Sequence, residues 1–122
     1  MNRELLDHLK EAEEIELTVT GRKTGRLIPR PVWFATEDRS LLLLPQFGPS
    51  THWYRNIMKD QKVKISVRGS DIIATAVPIS DQKRVKHIVE LFNAKYGKGK
   101  IDKYYSNITA AAEVKLAPDG NA

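Results

Sequence analysis

Ile15-Glu16-Leu17-Thr18-Val19-Thr20-Gly21-Arg22-Lys23-Thr24-Gly25-Arg26 is the stretch on which the fold turns. Ile15, Leu17 and Val19 alternate with Glu16, Thr18 and Thr20, a period of two that predicts a strand with one buried face. Gly21 to Gly25 then forms a turn whose tip offers two cations, a hydroxyl and backbone N–H groups. Glycines admit positive φ, and a curl of N–H groups makes an anion-binding concavity. Arg22 brings a planar fork for phosphate oxygens and Lys23 a point charge. A solvated hairpin tip has the same composition, so spacing alone leaves both readings open.

Outward from this stretch, Leu27 to Thr36 resumes extended structure, and Pro29 and Pro31 make it an edge strand or a bulge. Trp33 and Phe34 fall on opposite faces, so at most one enters the core. Glu37 to Ser40 is a polar turn, and Leu41 to Leu44 is a strand apolar enough to be covered on both sides. After a Pro45 to Ser50 loop, Ser50 or Thr51 caps a helix running from His52 to Met58. Val63, Ile65 and Val67 alternate with polar neighbours, and Gly69-Ser70 is a hairpin signal leading into Ile72 to Val77. Ser80 or Asp81 starts a longer helix that Gly97 ends. A basic loop over residues 99–107 carries Tyr104-Tyr105, and Ala110, Ala112, Val114 and Leu116 alternate in a last strand before a polar tail at 117–122. Upstream, Leu5, Leu6, Leu9 and Ala12 have helical spacing, so residues 1–14 hold a short amphipathic helix.

This order predicts a single α+β domain over residues 1–122, mainly β: a six-stranded antiparallel split β-barrel with helices at the ends and between hairpins. At 122 residues there is no room for two independent cores.

The composition narrows the chemistry. No cysteine is present, which excludes disulfides, thiol nucleophiles, iron–sulfur clusters and thiolate zinc. His8, His52 and His87 form no ligand-spaced pair, so no metal is expected. The longest apolar run, Leu41 to Leu44, is far short of the roughly 20 residues that span a bilayer. The acidic start is unlike a signal peptide, and the expectation is a cytoplasmic protein without membrane contact. Net charge is +5. Residues 1–16 hold two basic and six acidic side chains, net −4, so the remainder carries +9. Arg22, Lys23, Arg26 and Arg30 crowd one turn and the strand leaving it, which favours a phosphate over a nucleic acid as the acidic partner. Neither a nucleophile–base pair nor an acid–base dyad is evident.

Residues 16–25, then Pro31-Val32-Trp33-Phe34, then Trp53-Tyr54-Arg55-Asn56 resemble the deazaflavin-dependent nitroreductase family, flavin or deazaflavin oxidoreductases of the FMN-binding split-barrel fold. Its pattern is a Thr-Thr-x-Gly-Arg-Lys-Ser/Thr-Gly turn, a strand ending in Pro-Leu-x-Phe and a Trp-Tyr-x-Asn helix. Order and spacing match from about residue 15 to 78, and the last third matches in element order. The resemblance implies a homodimer that binds coenzyme F(420), an 8-hydroxy-5-deazaflavin, or FMN, in a groove at the dimer interface. By position, Arg22, Lys23 and Thr24 would hold the cofactor phosphate, and Trp53 and Asn56 would shape the groove. Where the family carries Arg this chain has Ile28, and Arg30, two residues on and so on the same face, is the substitute. Tyr104 and Tyr105 fall where relatives place substrate-side tyrosines, although two loop tyrosines also serve simply to pack. The implied activity is hydride transfer to a nitro group, a quinone or an activated double bond. The alternative is a non-catalytic module: a carrier of a flavin or haem-like ligand, or a nucleic-acid-binding barrel that uses Lys62, Lys64 and Arg68.

Overall fold

A computed structural model describes residues 3–116. The polar tail at 117–122 and the first two residues lie outside the described residues. The elements are α1 (Arg3–Glu11), β1 (Glu14–Thr20), β2 (Leu27–Trp33), β3 (Ala35–Glu37), β4 (Ser40–Leu43), α2 (His52–Lys59), β5 (Lys62–Val67), β6 (Ser70–Ile79), α3 (Gln82–Tyr96), α4 (Lys98–Tyr104) and β7 (Ala111–Lys115).

Seven strands, all paired antiparallel, run in the order β2-β1-β5-β6-β7-β4-β3. The two ends of that order, β2 and β3, are consecutive in the chain and joined by one residue, Phe34. The sheet can therefore exist only if it curls until its edges meet, which gives a half-barrel. The long strand β6 serves both halves, pairing with β5 through its first half and with β7 through its second.

Six strands were expected and seven are found, because the extended run 27–36 is two strands. The break has a physical cause at Phe34, whose side chain is fully buried in the barrel. Its backbone groups leave the ladder for side chains of α3. Its N–H donates to the Tyr96 hydroxyl at 3.1 Å, and its carbonyl accepts from Lys95 Nζ at 3.0 Å. The Tyr96 hydroxyl in turn donates to the Glu13 carbonyl at 2.5 Å. Buried backbone groups must find partners, and these let the chain switch from one half of the barrel to the other. Burial pushes the Tyr96 phenol up to about 12 and brings Lys95 down to about 8.

The alternation read in β1 and β5 holds: Ile15, Leu17, Val19, Val63, Ile65 and Val67 are all buried in the barrel. Leu41 and Leu43 face this interior, while Leu42 and Leu44 face a second cluster under α3 and α4, with Ile88, Phe92 and Ile101. Strand β4 is thus covered on both sides, as expected. Each such fully buried aliphatic side chain contributes about 1.5–3 kcal/mol. Strand β2, with Pro29 and Pro31, is an edge strand. Helix α2 buries Trp53, Tyr54 and Ile57 against the barrel and contacts β1 and β6.

Helix α4 replaces part of the expected loop at 99–107. Two glycines, Gly97 and Gly99, obscure a pattern whose apolar positions are Ile101 and Tyr105, one helical turn apart. Thr51 precedes α2 as its N-cap, but its hydroxyl accepts from the Phe47 N–H at 2.8 Å rather than from the helix. Asp81 precedes α3, also without a side-chain cap.

Candidate functional site

The turn between β1 and β2 is closed by its own backbone. Gly21 N–H donates to Arg26 O at 2.7 Å, Gly25 N–H to Gly21 O at 2.9 Å, and Arg26 N–H to Thr24 Oγ1 at 3.2 Å. Gly25 has φ 75°, a left-handed conformation that side-chain-bearing residues rarely adopt. Arg22 is held by α2: its N–H and its Nη1 donate to Asn56 Oδ1 at 3.0 and 2.8 Å, and its carbonyl accepts from Lys59 Nζ at 3.3 Å. Lys23, Thr24 and Arg26 are exposed at the tip. Of the N–H groups expected to cradle an anion, those of Gly21, Arg22, Gly25 and Arg26 already have partners, which leaves Lys23 and Thr24 to present theirs.

A cavity of about 700 Å³ opens between the β2 edge, the segment after β4, the first turn of α2, and α4. This is within the range of small-molecule sites, roughly 300–1,000 Å³. Its walls are largely aromatic: Trp33 from β2, Phe47 from the loop, Trp53 from α2, and Tyr104 and Tyr105 from the end of α4 and just beyond it. Arg30, Lys100 and His52 also line it, with Glu14 as the acidic residue.

Trp33 is the best-fixed of these rings. It stacks on Tyr96 with ring centres 4.4 Å apart and planes 10° from parallel, and Tyr104 meets it edge-on at 5.8 Å. Of the Trp33-Phe34 pair, Phe34 is therefore the core residue and Trp33 the cavity residue, the division expected from strand alternation. Tyr105 packs edge-on against Phe92 at 6.0 Å. Burial, and then the nearby Tyr96, push its phenol well above the ordinary value, so it keeps its proton throughout the neutral range. Tyr104 is 45% exposed.

The loop after β4 is pinned where it meets the C-terminal segment. Gly48 has φ 71°, and a Cβ there would lie 2.2 Å from the Asn107 carbonyl oxygen, so only glycine fits. Ser106 N–H donates to Gln46 O at 2.9 Å. These contacts hold the cavity wall carrying Phe47 against the segment that follows α4.

The expected site residues thus fall into two neighbouring groups. Arg30, Trp53, Tyr104 and Tyr105 come together in the cavity. Arg22, Lys23, Thr24 and Asn56 lie on the turn and the inner side of α2, and none of them lines it. His52 links the groups: its carbonyl is 3.5 Å from Arg22 Nη1, and the residue also lines the cavity. Phe47 and Lys100 line the cavity as well, although nothing in their sequence neighbourhood marks them out. Only the position of α4 and the Gly48–Asn107 contact brings them there. Among the described residues, no cluster of His, Asp or Glu has the makings of a metal site, and no helix is long and apolar enough to cross a membrane.

Several solved structures are similar to this chain. An F420-H2 dependent reductase, FDR-A, has a TM-score of 0.66 at 18% identity, with 84% of this chain and 94% of that one covered. HutZ, the heme storage protein from Vibrio cholerae, has a TM-score of 0.71 at 14% identity, with coverage of 96% and 89%. A third, described as a domain-swapped dimer, has a TM-score of 0.67 at 17% identity, with coverage of 93% and 96%. At such identities the likeness is one of fold, and it bears out the split-barrel architecture. The family model for F420H(2)-dependent quinone reductases matches residues 2–98, which takes in the Gly21–Gly25 turn, Trp33 and α2 and stops short of Tyr104 and Tyr105. This chain, an oxidoreductase by that kinship, belongs to the F420H(2)-dependent quinone reductase family.

Proposed function

We propose that the protein passes a hydride from reduced coenzyme F(420) to a quinone-like acceptor, and that the aromatic cavity is where the two rings meet. The observation that carries this reading is the pairing of one aromatic-walled cavity with an exposed cationic turn just across the first turn of α2. A deazaflavin has a flat tricyclic ring and an anionic tail, and the two groups of residues fit those two parts. Lys23, with the N–H groups of Lys23 and Thr24, would take the phosphate, while Arg22 braces the turn. Trp53 and Arg30 would flank the ring. When bound, the cofactor supplies the hydride. The chain's own part is to orient two flat rings face to face, exclude water with its aromatic walls and present hydrogen-bond donors to the acceptor oxygen. Tyr105 is suited to donating a hydrogen bond rather than giving up its proton, since its phenol is held protonated. FMN is the second cofactor of matching shape and charge.

A homodimer is part of the same reading. Leu27 of β2 and Ile73 of β6 are 70% and 58% exposed, two separate apolar side chains on the outward face of the sheet that a second copy would cover. The nucleic-acid reading loses support because Lys62 and Lys64 stand beside Thr75 and Ile73, away from the aromatic side chains of the cavity.

The test is anaerobic mixing of the protein with reduced F(420) and a soluble naphthoquinone. Oxidised deazaflavin absorbance should grow in at a rate proportional to protein concentration. Binding of F(420) or FMN without any such turnover would make the protein a carrier instead.

A further inference from the structure

The lysines near the cavity differ in what they touch. Lys95 donates to Phe34 O, Lys98 pairs with Asp102 at 2.7 Å, and Lys103 Nζ stands 5.3 Å from the centre of the Tyr104 ring. Lys100, on the same short helix, has no hydrogen-bond or ion-pair partner among the described residues, and it lines the cavity. Arg30, on the β2 side of the cavity, bonds among the described residues to the carbonyl of its neighbour Pro29, at 3.2 Å. Among the described residues that line the cavity, Glu14 is the one carboxylate.

Lys100 is also in a different place from the phosphate cradle. No residue of the turn at 21–26 lines the cavity, and the turn is braced on α2, whereas Lys100 comes from α4. An anion held at the turn leaves Lys100 to a second one. A cavity ring of fixed orientation is Trp33, held by its stack on Tyr96 and its edge contact with Tyr104. A flat ring entering the cavity meets that pre-oriented indole, and a lysine lining the same cavity favours a ring bearing negative charge.

We infer that Lys100 is a specificity-determining residue that selects anionic acceptors: flat quinones or related aromatics carrying a carboxylate or an ionised ring hydroxyl, stacked on Trp33. This rests on the cavity being the acceptor site of a reductase, and the test separates the two claims. The probes are 2-hydroxy-1,4-naphthoquinone, ionised at neutral pH, and the neutral 2-methyl-1,4-naphthoquinone. Binding of each to cofactor-free protein is read from quenching of tryptophan fluorescence. The wild type should bind the ionised quinone about ten-fold more tightly, the size of one charge-assisted hydrogen bond at an open site. Lys100→Met should abolish the preference, Lys100→Arg should keep it, and added salt should shrink it. In turnover, Lys100→Met should raise KM for the ionised quinone about ten-fold more than KM for the neutral one. A wild type without preference, or a preference that survives Lys100→Met, overturns the inference. Quenching that behaves as expected with no turnover on either quinone would overturn the reductase reading and leave the anion site standing.

Discussion

Asn56 is one of the few polar side chains buried in this protein, 3% exposed on a helix otherwise turned inward by Trp53, Tyr54 and Ile57. Its Oδ1 accepts two hydrogen bonds from one residue, Arg22, and so ties the turn to α2. Replacing it with alanine leaves the Arg22 N–H without its acceptor and a guanidinium without its anchor. We expect Asn56→Ala to cost about 1.5–3 kcal/mol in urea unfolding, the net worth of a hydrogen bond to a charged group. Asn56→Asp, which keeps the acceptor and adds a charge complementary to Arg22, should stay close to the wild type. Equal stability of all three proteins would refute the bracing role. The same contact shows where sequence reading stops at the level of single residues. A Trp-Tyr-x-Asn pattern marks Asn56 as a site residue, but its partner lies 34 positions away. Only the docking of α2 beside the turn shows that it supports the cation rather than facing the cavity.

Elements are tied together by a charged seam on the other half of the barrel. Glu37 of β3 accepts from Arg84 Nη1 at 3.1 Å and meets His87 Nε2 at 2.6 Å, both on α3. Arg84 continues to Glu113 of β7 at 3.7 Å, and Glu113 accepts from Ser40 Oγ on β4 at 2.5 Å. The hydrogen bond from His87, then that from Arg84, hold the Glu37 carboxyl below its usual value. A carboxylate lowered in the folded state adds stability above its unfolded value, about 4.3, and that stability drains away as pH falls through the lowered folded value. Urea midpoints measured from pH 7 down to pH 3 should therefore decline on the acid side, and Glu37→Gln should flatten the decline while lowering the midpoint at pH 7. Parallel pH profiles for the two proteins would exclude the seam as a source of acid sensitivity. Elements with clean period-two alternation, β1 and β5, were legible from the sequence, as was the doubly covered β4. The split of the 27–36 run was not, because the partners that satisfy Phe34 come from residues 95 and 96 of a distant helix. Helix α4 escaped for a local reason: Gly97 just before it and Gly99 in its first turn read as a loop.

For the molecule as a whole, the uneven charge becomes intelligible once the sheet closes. The acidic first 16 residues supply α1 and the start of β1, while the +9 remainder supplies the turn at 21–26 and the two cations of the cavity. Curling joins strands from both ends of the order at Phe34 and leaves an aromatic cleft beside that joint, with the cationic turn across α2 from it. The cleft and turn together make the case for a deazaflavin, and Lys23 is the cleanest place to test it. Removing Arg22 also undoes the brace on Asn56, whereas Lys23 is exposed at the tip. The direct measurement is fluorescence titration of the wild-type protein and Lys23→Ala with coenzyme F(420), alongside their urea midpoints. The account predicts saturable binding to the wild type, an affinity about ten-fold weaker in Lys23→Ala, and unchanged midpoints. It would be contradicted by a wild type that binds neither F(420) nor FMN, or by a variant that binds as tightly as its parent.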